Sequence, residues 1–431
     1  MALFETRKRR SIVAAGAAAA VALIGLTACG SSGGSGSATG VTLNLYSDNP
    51  QWADGFAKTG AAIKTVTGND WKSIALPSTA NYTQVVQNSL STSKPGDIIK
   101  WWSGLQIQKL AATGKLTDLT AIWDADVKKG WLNDSLKPYY TYNGKVYALP
   151  LTNANWVVYY SKSAFKKAGI AAPPTTYAEF EADAAKLKAS GTTPIWTGQA
   201  DQWTSFIPYM LLAGSASPDY YTKLTSNQAS FGDATGKQIL QTWQTWIKNG
   251  WTASPDTKFT DAPAMMKSGK VAMFPIGTWD GSGMKAAGMT PDVDYGAFLL
   301  PPAAGQQQAL FNEGGALAVP TGAPNHAAAM KVMESWLDPT VQTVWSDYLG
   351  DSSPNPMVPV KDPVIAGLNK QIAAAKPVLL NRYFEALPPS LVTDSTTILD
   401  GFMVDPSNID KVISDLVSAE TKDWTAWKSG N

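Results

Sequence analysis

The chain is short of the residues that carry out chemistry. Its 431 residues include one cysteine, Cys29, and one histidine, His326. A single cysteine excludes an intramolecular disulfide, the staple of many exported domains. One histidine and one cysteine cannot supply a Ser-His-Asp set, a Cys-His set or a zinc cluster. A lone histidine without partner ligands reads as structural, so no metal is expected at His326. No glycine-rich loop matches the Walker pattern, and no cofactor is called for. Charge is sparse and balanced, 35 Lys and Arg against 34 Asp and Glu, 16% of the chain. That excludes nucleic-acid binding by bulk electrostatics. Carboxylates are still numerous enough to leave room for a glycosidase's pair, about 5 to 9.5 Å apart. What the chain does have is apolar mass. Hydrophobic residues make up 44%, with 17 Trp. Many of these indoles must be core, and the excess suits a protein that offers flat apolar faces to a ligand.

The N-terminus carries Arg7-Lys8-Arg9-Arg10, then an apolar run from Ile12 to Leu26 of about fifteen residues. A comfortable membrane span needs roughly 20. Leu26-Thr27-Ala28-Cys29 follows. The arrangement resembles a bacterial lipoprotein signal, which implies cleavage before Cys29 and lipid on its thiol. The alternative is an ordinary signal peptide with an incidental cysteine. Residues 1–28 are thus read as signal peptide and 29–40, rich in Gly and Ser, as a flexible tether. Acyl chains on Cys29 would anchor the protein stably, at ~0.8 kcal/mol per buried CH₂. Cleavage leaves 31 basic and 33 acidic side chains.

The rest of the chain is organised around residues 142–170. Asn143-Gly144 predicts a tight turn. Val146 to Leu149 reads as a short strand stopped by Pro150. A polar joint, Thr152-Asn153-Ala154-Asn155, leads into the unbroken β-favouring run Trp156 to Tyr160. Ser161 or Ser163 can cap a short helix that ends at Gly169. Upstream, Val41 to Tyr46 alternates as a strand and ends at Ser47-Asp48-Asn49-Pro50. Asp97 to Trp102 is a second strand, ending in paired tryptophans of which one can be core and the other ligand-facing. Downstream, Thr176 and Glu179 fit a capping box. Trp243 and Trp246, three apart on a helix, are read as core, and Trp123 and Trp131 as packing. Asn325 is a candidate cap for the helix that contains His326.

Several stretches share a signature. They are Gly144-Lys145-Val146-Tyr147-Ala148-Leu149-Pro150, Tyr160-Ser161-Lys162-Ser163-Ala164-Phe165-Lys166-Lys167-Ala168-Gly169, the Met-Lys-Ser-Gly-Lys stretch from Met266 to Lys270 with the strand after it, and Gly277-Thr278-Trp279. From Val41 to the C-terminus the chain resembles bacterial extracellular solute-binding proteins of the sugar-binding class. The resemblance implies an α/β, two-lobed periplasmic-binding-protein-like fold, each lobe a mixed sheet flanked by helices, with the ligand between the lobes. The expected lobes are 41–151 with 266–315, and 152–265 with 316–431. It also implies a monomeric receptor on the outer face of the cytoplasmic membrane. Such a receptor captures a di- or oligosaccharide and hands it to ABC transporter permease subunits on other chains.

Ligands of open α/β sheets sit at the carboxyl ends of strands. A sugar offers C–H faces to indoles and hydroxyls to acids and amides. The candidate ligand contacts are therefore Asp48, Asn49, Trp101, Trp102, Asn153, Asn155, Trp203, Trp279 and Asp280, with Glu313 and Arg382 behind them. For Trp101, Trp203 and Trp279 the family resemblance adds its own support. Paired basic residues that would grip a phosphate or carboxylate are not evident in these loops. The alternatives are a receptor for a peptide, polyol or chelate on the same fold, and a secreted glycosidase.

Overall fold

A computed structural model describes residues 39–76, 78–92 and 94–430. The expected signal segment and Cys29 lie outside those residues. Twelve strands occur among the described residues: β1 (Thr42–Ser47), β2 (Asp70–Ala75), β3 (Ile98–Trp101), β4 (Thr141–Tyr142), β5 (Lys145–Val146), β6 (Ala154–Ser161), β7 (Thr193–Ile195), β8 (Val271–Gly277), β9 (Tyr295–Phe298), β10 (Ala309–Glu313), β11 (Ala316–Ala318) and β12 (Val378–Asn381). They form two mixed sheets and a small hairpin. The first sheet runs β11-β3-β1-β2, with β1 parallel to β2 and β3, and β11 antiparallel to β3. The second runs β12-β10-β6-β8-β7, with β9 also paired to β6. The β4–β5 hairpin turns at Asn143 and Gly144, both at positive φ (46° and 77°), as the dipeptide predicts.

Local sequence explains the order. In β1 the apolar Leu43 and Leu45 are buried while alternate residues are less so, the mark of a half-covered strand. β3 and β8 are buried at every position, which suits strands covered on both faces. The helices Ala53–Thr67, His326–Trp336 and Pro339–Leu349 pack together beside the first sheet. The helices Ile207–Ala216, Ala234–Lys248, Pro389–Val404 and Ile409–Gly430 group with the second. The Thr176–Glu179 capping box is present. Trp243 and Trp246 are core. Asn325 does not cap its helix. Its backbone and side-chain amides donate instead to the buried Asp97 carboxylate. His326 Nε2 lies 2.9 Å from the Thr117 hydroxyl, a structural contact.

The expected lobe boundaries need correction. Strands β8, β9 and β10, within 266–315, pair in the second sheet, not the first. The stretch beginning with β11 joins the first sheet and its helices. The reason is physical. β8 is a seven-residue apolar strand with no polar face, and β6 and β7 on either side give it a fully covered place inside the second sheet. The chain therefore crosses between sheets at residues 151–153, again at Gly314-Gly315, and a third time beyond Leu349.

Candidate functional site

The two sheets meet where the loops after β1 and β3 face the loops of the second sheet. Lys100, on β3, reaches Asp48 after β1 at 2.7 Å, with both side chains more than 90% buried. A lysine inside so apolar a strand needs such a partner. Its ammonium also lies 4.5 Å from the Trp102 ring centre. Trp101 and Trp102 touch, ring centres 5.0 Å apart, but reach different neighbours beyond each other. The Trp101 indole N–H donates to the Gln106 carbonyl and the ring sits in the core, while Trp102 packs against Phe384 across the junction at 5.0 Å. The turn after Trp102 needs Gly104, whose φ is +62° and where a Cβ would fall 2.3 Å from the Glu385 carbonyl oxygen.

From the second sheet, Glu313 stands at the end of β10. Its Oε2 accepts from the indoles of Trp156 at 3.1 Å and Trp279 at 2.9 Å, and lies 3.1 Å from an Arg382 terminal nitrogen. Arg382 also grips Glu385 through two nitrogens, Nε at 2.6 Å. Its guanidinium faces the rings of Trp156, Phe206 and Phe384 at 5.3 to 5.9 Å. Burial pushes the Glu385 carboxyl up to about 7, and Arg382 works against that rise. Burial alone lowers the Arg382 pKa, but the Glu313 and Glu385 carboxylates outweigh it and hold the guanidinium above its ordinary value.

Around these charges runs an arc of rings. Trp52 meets Trp279 at 5.8 Å, Trp279 meets Phe259 at 6.1 Å, and Phe259 meets Trp203 at 5.2 Å. Trp203 then meets Phe206 at 6.3 Å, and Phe206 meets Phe384 at 6.4 Å, next to Trp102. Trp52 and Trp102 belong to the first half, the five rings between them to the second. Trp203 is only half-buried, and Gln202 before it is held at φ +57°, a conformation that costs a non-glycine residue about 1–3 kcal/mol and recurs at ligand sites. At the first crossing, the Asn312 side-chain amide donates to Asn153 Oδ1 at 3.1 Å and to the Ala154 carbonyl.

The structure thus brings Asp48, Trp102, Asn153, Asn155, Trp203, Trp279, Glu313 and Arg382 to one junction. Asn49 is half-buried beside Asp48, its Oδ1 without a hydrogen-bond partner. Trp101 turns into the core. Asp280 is buried with Oδ2 unpartnered, and burial pushes its carboxyl well above the usual range. Sequence reasoning missed Trp52, Phe259, Phe384, Lys100 and Glu385. The signal for Lys100 was visible as one cation in an otherwise apolar strand. Phe259 and Phe384 carry no local mark, because only the tertiary fold brings them to the junction.

These features place the chain in a known class. The bacterial extracellular solute-binding protein family matches residues 46–343, and the chain belongs to it. It is a non-catalytic, extracellular solute-binding protein of an ABC importer. It is 26% identical over 352 residues to an uncharacterized ABC transporter extracellular-binding protein of Pyrococcus horikoshii, covering 80% of this chain and 78% of that one. It is 25% identical over 414 residues to the diacetylchitobiose-binding protein DasA of Streptomyces coelicolor, covering 91% and 89%. A shorter match, 41% over 73 residues and 16% of each chain, reaches the sn-glycerol-3-phosphate-binding protein UgpB of Yersinia pestis. Among solved structures, a chitin oligosaccharide binding protein superposes with a TM-score of 0.79 at 18% identity, over 89% of this chain and 98% of that one. That likeness speaks to the fold.

Proposed function

We propose that this protein is a lipid-anchored receptor for an uncharged sugar, a di- or oligosaccharide, which it delivers to an ABC importer. The observation that carries the reading is the arc from Trp52 to Trp102. Seven rings line one junction and enclose carboxylates and amides, the pairing a sugar's C–H faces and hydroxyl rims require. Charge argues for a neutral ligand. Two cations, Lys100 and Arg382, do lie here, which the loops alone did not reveal. Each is already committed to carboxylates, so a phosphate would have to displace Asp48 or Glu385. DasA's disaccharide ligand and the chitin oligosaccharide binding protein support the same reading. Hinge closure would bury the sugar between the halves.

A screen of intrinsic tryptophan fluorescence against neutral di- and oligosaccharides, with glycerol 3-phosphate as the anionic control, tests the ligand class. At least one neutral sugar is expected to change the emission saturably and the control is not. A response to glycerol 3-phosphate alone would overturn the reading. The anchor has its own test: Cys29→Ser should move the protein from the membrane fraction to the medium, and continued membrane retention would remove the lipid.

A further inference from the structure

The short turn Thr278–Gly281 touches every place where the chain passes between the sheets. At the first crossing, the Asn155 backbone N–H donates to the Thr278 hydroxyl oxygen at 2.9 Å. At the second, the Trp279 indole donates to Glu313, one residue before Gly314-Gly315. At the third, Gly281 lies so close to the Leu349 carbonyl that a Cβ would fall 2.8 Å from it. The Gly350 carbonyl, next to Asp351 at the opening of that crossing, lies 3.2 Å from the same Cβ position. Tyr159 holds the turn from beneath, its hydroxyl donating to the Thr278 carbonyl at 3.0 Å. One short turn therefore stands between Asn155, Glu313 and the backbone just before Asp351.

Asp351 is an unusual neighbour for a hinge. Its side chain is buried, Oδ1 accepts from the Ser352 N–H at 2.7 Å, and Oδ2 has no hydrogen-bond partner. The charged and titratable groups that face it are Glu313 and Tyr159 from the second sheet, Asp362 and Lys361 from its own crossing, and Lys285 and Asp347 from the flanking helices. The two lysines are spoken for, Lys285 near Asp362 at 3.8 Å and Lys361 on Asp347 at 2.5 Å. Among the described residues no cation is left to compensate Asp351.

We propose that the Thr278–Gly281 turn, positioned by Thr278, ties ligand contact at Trp279 and Glu313 to all three crossings, and that Asp351 is the protonation-sensitive end of that tie. The proposal rests on the receptor reading, in that Trp279 and Glu313 are taken as ligand contacts. Burial pushes the Asp351 carboxyl up to about 7, with Glu313 and Asp362 adding to the rise and Thr278 and Ser352 opposing it. The sign follows. A hydrated Asp351 has the ordinary carboxylate pKa of about 3.9, so the tied form holds a proton that the loosened form releases. The tie is therefore firm in acid and slackens as pH rises toward 7.

Amide hydrogen exchange on the ligand-free full chain tests this without a sugar, so a failed sugar screen and a failed exchange test are separate results. Thr278→Val should speed exchange about tenfold or more at all three crossings, and Thr278→Ser should restore protection. Wild-type protection at the crossings, corrected for intrinsic rates, should be about tenfold higher at pH 6 than at pH 8. Asp351→Asn should show no such difference, and it carries the test even if Thr278→Val fails to fold. Exchange changes confined to residues 153–157, or an undiminished pH difference in Asp351→Asn, would overturn the proposal.

Discussion

Arg382 shows how this site holds its charges. It is buried among three rings, and among the described residues its only counter-charges in contact are Glu313 and Glu385. Replacing a buried ion cluster with apolar groups can be neutral, but removing one member is not, because the others stay buried without compensation. Arg382→Ala is therefore expected to cost about 3–5 kcal/mol of stability in urea unfolding. A loss under about 1 kcal/mol would mean that water reaches the two glutamates. Ligand contact is better tested at Trp203 than at Trp279. Trp279 is 4% exposed and bonded to Glu313, so its truncation would also open a core cavity costing about 3–5 kcal/mol. Half-buried Trp203 faces the junction with less structural duty. Trp203→Ala should weaken sugar binding at least tenfold, about 1.4 kcal/mol, with a small change in Tm. Unchanged affinity in a folded variant would take Trp203 out of the site.

At the scale of elements, much was legible because local pattern and tertiary role agree. The alternation of β1, the apolar run of β6, the Asn143-Gly144 turn and the Thr176–Glu179 box each follow from neighbours in sequence, and each stands where expected. What failed depended on distant neighbours. The apolar run of β8 says that the strand is covered on both faces but not by which sheet, and the expected boundary at 266 went wrong there. Trp101 and Trp102 could be separated into core and junction in principle, yet which was which needed the pleat. Asn325 had the right residue type for a cap, but the buried Asp97 carboxylate competes for its amides and wins. Gly104 belongs to this scale too. Positive φ and contact with the Glu385 carbonyl together make Gly104→Ala costly, about 2 kcal/mol or more. Chemical denaturation checks this, and a change within 0.5 kcal/mol of wild type, about the noise of a surface substitution, would mean that the turn relaxes freely.

For the whole molecule, two mixed sheets and three crossings turn the ends of many separate strands toward one junction. Each cation there is held by carboxylates, and the rings of the two halves already touch, Trp52 on Trp279 and Trp102 on Phe384. On the proposed reading, a ligand that enters parts those rings and is then held by them, which calls for flat apolar faces and hydroxyl edges on the same small molecule. Membership of the solute-binding family sets the role, and the junction sets the ligand chemistry proposed for it.

Isothermal titration of the purified protein with the neutral oligosaccharide that gives the largest fluorescence response tests that claim most directly. The expected result is one site per chain, a negative heat-capacity change from the ring faces that the sugar covers, and sugar recovered chemically unchanged. Heat that continues with turnover of the sugar, or binding that Trp203→Ala leaves untouched, would contradict it.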